Sequence, residues 1–136
     1  SAKAGSIEID GYNPYERKPS FLSEMFYLGD NPEAVHMKAI DYARNYGKFW
    51  EKFDLEKFTE VMSVFENDID IPMHKMSYGQ LKKTFISFAL ACNTKYLLMD
   101  EPTNGLDIPS KAQFRKADLL FANSLKLKKT LLVFLT

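Results

Sequence analysis

A chain of 136 residues, 46% of them hydrophobic, is long enough for one domain with a real core. No apolar run reaches the length needed to cross a bilayer, which leads to the expectation of a soluble, globular domain with no membrane span and no secretory leader. Eighteen basic residues balance eighteen acidic ones, against a nucleic-acid binder held by phosphate contacts, and Cys92, the one cysteine, excludes an internal disulfide or a cysteine zinc cluster.

Ser6–Gly11 alternates before a glycine and reads as a short strand ending in a turn. Tyr12 to Ser20, with two prolines and several charges, reads as loop. Phe21 to Leu28 is apolar enough for a strand around Met25–Leu28. Asn31-Pro32-Glu33 supplies a cap, a proline at the first helical position and an early acid, predicting a helix from about Pro32 to Phe49 with Val35, Ile40, Ala43 and Tyr46 on one side. Asp54 is placed to cap the next helix, where Leu55, Phe58, Met62 and Phe65 recur at helical spacing. Asn67 to His74 is polar and contains proline, so it reads as a connector.

Ser77 opens a third helix with Leu81, Phe85, Phe88, Ala89 and Cys92 as its inner stripe; Cys92 in that stripe reads as a buried structural thiol in a reducing compartment. Ser77 and Gln80 have the S-x-x-Q spacing of a capping box, and the glycine between them leaves backbone N–H groups open to an anion. Tyr96–Met99 is a buried strand ending on two adjacent carboxylates, Asp100 and Glu101. Neighbours on a strand point to opposite sides, so the two acids divide the work. One can hold a hydrated metal ion while the other faces water, as phosphoryl transfer to water requires. Pro109 begins a helix whose Phe114, Ala117 and Phe121 face inward, and Asp107 is a cap candidate for it. Thr130–Leu135 reads as a last buried strand. His36 and His74 lie apart in sequence without metal-ligand spacing, and Tyr42, Tyr46, Phe49, Trp50 and Phe53 read mainly as core, with docking of a membrane-domain helix as a lesser option.

Ser77-Tyr78-Gly79-Gln80 and Tyr96–Asp107, in this order and spacing, resemble the ATP-binding subunits of ABC transporters. The resemblance implies an α/β fold: a partial ABC-type nucleotide-binding domain, with a mostly parallel sheet core (1–31 and 95–136) and a helical subdomain (32–94) ending in the signature helix. It makes Asp100-Glu101 the Walker B strand end, with Asp100 holding Mg²⁺ through water and Glu101 as general base. Ser77, Gly79 and Gln80 become the signature that meets the nucleotide of the opposite subunit, and Tyr78 stands where the family usually has glycine. Gly105-Leu106-Asp107 becomes the D-loop. The family's Q-loop glutamine has no counterpart here; Asp30 is the nearest candidate, with a turn aspartate as the alternative.

Also implied are the cofactors ATP and Mg²⁺, pairing with an identical or different ATPase subunit, a membrane permease as partner, no nucleic acid, and a cytoplasmic place at the inner face of the cell membrane. No G-x-x-x-x-G-K-[ST] loop and no switch histidine occur in these residues. The expectation is therefore a fragment, inactive alone, of an active ATPase that couples hydrolysis to transport. A soluble ABC-type ATPase acting on ribosomes and a non-catalytic regulatory fragment are the alternatives.

Overall fold

The computed structural model describes residues 25–29, 32–100, 105–117 and 131–135. The expected strand at Ser6–Gly11, the loop after it, Asp30, Glu101 and Phe121 lie outside the described residues. Three parallel strands, β1 (Met25–Leu28), β2 (Tyr96–Asp100) and β3 (Leu131–Leu135), form a sheet in the order β1-β2-β3. Leu28 pairs in register with Met99 and Asp100 with Leu135. The middle strand carries the acid pair's first member at its carboxyl end, where open parallel sheets place their ligands.

Between β1 and β2 lie three helices: α1 (Ala39–Gly47), α2 (Leu55–Val64) and α3 (Tyr78–Ala91). The helix α4 (Ile108–Ala117) follows β2. Helix α2 starts where its sequence says it should, because the Asp54 carboxylate accepts the Lys57 N–H at 3.1 Å. Phe58, Val61, Met62 and Phe65 are then completely buried against α3, each burial worth about 1.5–3 kcal/mol relative to exposure.

The first helix is shorter than its sequence signals suggest. Residues 32–38 are not helical, and Lys38 instead forms an antiparallel bridge with Pro72. The N–H groups of Ala39 and Ile40 donate to the carbonyls of Ile71 and Ile69, and Met73 N–H donates to the Met37 carbonyl. The first N–H groups of any helix need partners from outside it. Here a segment from across the fold supplies them, and the cap signal at Asn31-Pro32-Glu33 is overridden.

Helix α3 also departs from expectation. From Thr84 to Ala91 it is buried all round rather than along one stripe, and Lys82, Thr84 and Ser87 are as inaccessible as Phe88. Past its first turn it fills the space between α2 and β1, while Tyr78 at its start is exposed. Phe88 is the centre of an aromatic cluster, with Tyr42, Phe53 and Trp50 at centroid distances of 5.0, 5.1 and 5.6 Å and Phe26 of β1 at 5.7 Å. That cluster fixes the helix against the sheet and hence fixes its amino end.

Candidate nucleotide site

The amino end of α3 is built by reciprocal capping. Ser77 Oγ accepts the Gln80 N–H at 3.2 Å, and Gln80 Oε1 accepts the Ser77 N–H at 3.0 Å. Both partners of the expected box are thus engaged within the turn, and the Ser77 hydroxyl already serves the helix itself. The Gln80 carbonyl takes two further donors, Asn67 Nδ2 and Thr84 Oγ1, each at 2.9 Å.

Gly79 is not demanded by internal packing. A Cβ added there would meet only Leu106 Cδ2, at an ordinary 3.9 Å. The missing side chain keeps the first backbone turn of α3 slim beside Leu106, at a helix end whose N–H groups and dipole favour an anion.

The loop after β2 reaches this same turn. Gly105 has φ +80°, a left-handed conformation suited to glycine, and the Tyr78 ring lies over it. Leu106 is buried against Gly79. Asp107 accepts the Ser110 N–H at 2.8 Å, and its carbonyl accepts the Lys111 N–H, so it caps α4 as expected. Hydrogen bonds from the Ser110 side chain and backbone hold its carboxyl below the usual value, and Lys83 of α3 adds in the same direction.

The structure therefore brings Ser77, Gly79 and Gln80 together with Asp107 and its neighbours. Asp100 is described through its backbone, at the end of the central strand. Asp30 and Glu101 lie outside the described residues. Among the described residues no group of three or more His, Cys, Asp or Glu is close enough to hold a metal ion.

Two features were missed in the sequence. Asn67, read as connector, is buried and hydrogen-bonded into α3; a polar residue beside a turn gives no sign of burial. His36 and His74 are not apart: their rings stack at 4.1 Å, brought together by the pairing of Lys38 with Pro72. The aromatics divide, with Tyr42, Trp50 and Phe53 packed on the core while Phe49 is 67% exposed.

A family profile described as ABC transporter matches residues 1–104. The chain belongs to the ABC transporter family. It is 29% identical over 116 residues to the ribose import ATP-binding protein RbsA 2 of Rhizobium meliloti (strain 1021), covering 85% of this chain and 22% of that protein. It is 29% identical over 140 residues to the arabinose import ATP-binding protein AraG of Mannheimia succiniciproducens, covering 87% of this chain and 27% of that one. The chain thus spans about a quarter of the length of these ABC relatives.

In fold it is similar to the ATP-binding cassette MJ0796, solved as a dimer in a post-hydrolysis state bound to ADP and Pi. The TM-score is 0.72 at 17% identity, over 98% of this chain and 63% of that one. The parallel sheet with helices between its first two described strands accordingly has the fold of part of that cassette.

Proposed function

We propose that the chain is part of the ATP-binding and hydrolysing subunit of an ABC transporter, with hydrolysis driving a membrane permease. The observation that carries this reading is the amino end of α3 at Gly79, packed on the loop Gly105–Asp107 that follows the strand ending at Asp100. Residues 1–31 and 95–136 would be sheet core and 32–94 the helical subdomain, in keeping with three helices between β1 and β2.

The residues present suit a nucleotide. Gly79 keeps the first turn of α3 slim at a helix end that favours an anion, and Asp100 stands at the carboxyl end of the central strand. Mg-ATP, when bound, supplies the transferable phosphoryl group and the cation that offsets its charge. Ser77, Gly79 and Gln80 would orient a phosphate through the first turn of α3. Asp100 would hold the hydrated magnesium, and Glu101 would accept a proton from the attacking water. Asp107 would set the loop between paired subunits, and Asp30 stands at the Q-loop position.

Two ATPase subunits, identical or different, would pair, in keeping with the dimeric MJ0796 and with relatives named as import ATP-binding proteins. A groove of about 380 Å³ beside exposed Phe49, lined by Ala43, Gly47, Lys48, Trp50 and Phe53 among others, supports contact with a permease on the cytoplasmic side of the membrane.

The 136 residues alone would not hold Mg-ATP, because no phosphate-cradling G-x-x-x-x-G-K-[ST] loop is among them. Calorimetric titration tests both halves of the proposal. It should show no Mg-ATP binding by the 136 residues and micromolar binding by the protein in full; binding by the short chain, or none by the long one, contradicts it.

A further inference from the structure

Tyr78 makes a contact that the capping box does not require. Its ring lies so close over Gly105 that a Cβ added to that glycine would sit 2.5 Å from Cε2 and 3.1 Å from Cδ2. The Lys82 ammonium lies 5.5 Å from the ring centroid, and Lys82 is itself buried. Beside the ring, Leu106 packs towards Gly79, and Lys83 faces Asp107 electrostatically. Gly105 and Leu106 thus each meet a residue of the first turn of α3. Ring atoms standing where a Cβ would be leave the loop little freedom to shift without moving the tyrosine.

We propose that Tyr78 is a positioning residue: its ring, laid over Gly105, ties the first turn of α3 to the loop Gly105–Asp107 so that both move as one unit. The assignment of that unit to nucleotide handling rests on the reading of Ser77–Gln80 and Gly105–Asp107 given above, whereas the tie itself does not. Gly105 is required twice over, once by its positive φ and once by the ring.

Hydrogen exchange and equilibrium unfolding of the full chain test the tie, with Tyr78→Ala, Tyr78→Phe and Gly105→Ala. Tyr78→Ala should speed exchange of the amides from Gly105 to Ser110 about tenfold while those of α2 keep their protection. Tyr78→Phe should restore the original rates, since the ring and not the hydroxyl makes the contact. Gly105→Ala should destabilise less in the Tyr78→Ala background than in the original chain, because only the backbone strain is left. Unchanged exchange in Tyr78→Ala, or strict additivity of the two alanine substitutions, overturns the proposal. In the full-length protein Tyr78→Ala should lower the maximal ATP turnover about tenfold with KM nearly unchanged, and Tyr78→Phe should recover it. Altered exchange with unaltered turnover overturns the positioning role. Absence of turnover in the unsubstituted protein counts against the functional reading and leaves the tie to stand on exchange and additivity.

Discussion

The side-chain amide of Asn67 donates to the Gln80 carbonyl at 2.9 Å and to Thr84 Oγ1 at 3.0 Å, joining the connector after α2 to the amino half of α3. Asn67 is 7% exposed, so these bonds are made away from competing water. Replacing it by leucine would leave the Thr84 hydroxyl and the Gln80 carbonyl with fewer partners in a closed space. Asn67→Leu should cost about 1–3 kcal/mol. Urea unfolding should show a lower midpoint with an unchanged slope.

Ser77 and Gln80 stabilise α3 whether or not a nucleotide is present. Ser77→Ala removes one of two reciprocal bonds and should cost about 1 kcal/mol. Ser77→Asp keeps an acceptor at the cap and should fold nearly as well, yet its negative charge would repel a phosphate at the same turn. Stability and Mg-ATP affinity of the full-length protein should therefore respond oppositely to the two substitutions. A parallel response would mean that the turn acts as a cap alone.

Burial pushes the Cys92 thiol far above its ordinary range, and the side chain is almost inaccessible at the end of α3. The thiolate is the reactive form, so the native chain should resist thiol reagents at about pH 8. Labelling should appear only with unfolding, and its rate should follow the denaturant curve.

Tyr42, stacked on Tyr46 and edge-on to Phe88, has its hydroxyl pKa raised from 10.0 to about 12, first by burial and then by Tyr46 and Cys92. A raised value means the folded state keeps its proton after the unfolded chain has released it. The associated stability is present in full below pH 10.0 and is lost as pH rises towards about 12. Tyr42→Phe should flatten the fall in stability over that interval. An identical alkaline profile for the two chains would contradict the assignment.

Much of this arrangement was legible in the sequence because several signals agreed locally. Asp54 and the Phe58, Met62 and Phe65 spacing gave α2, Ser77 and Gln80 gave the start of α3, and the apolar run before Asp100 gave the central strand. What failed was long-range. The signal at Asn31-Pro32-Glu33 predicts a helix that backbone pairing between residues 37–40 and 69–73 displaces. That same pairing stacks His36 on His74, which no local spacing could announce. Lys82 lies outside the inner stripe expected of α3 and is buried all the same. At the candidate site, the residue types of Ser77, Gly79, Gln80 and Asp107 were readable, but the ring of Tyr78 over Gly105 was not. It joins two segments that sequence order keeps well apart.

We propose that this chain carries the strand end, signature turn and loop of an ATP-hydrolysing subunit. The most direct test is the Mg-ATP turnover of the full-length protein beside that of its Glu101→Gln variant. Loss of the proposed base should lower turnover about a hundredfold or more while leaving nucleotide affinity in place. Turnover unchanged by Glu101→Gln, or a full-length protein that binds no Mg-ATP, would contradict the account.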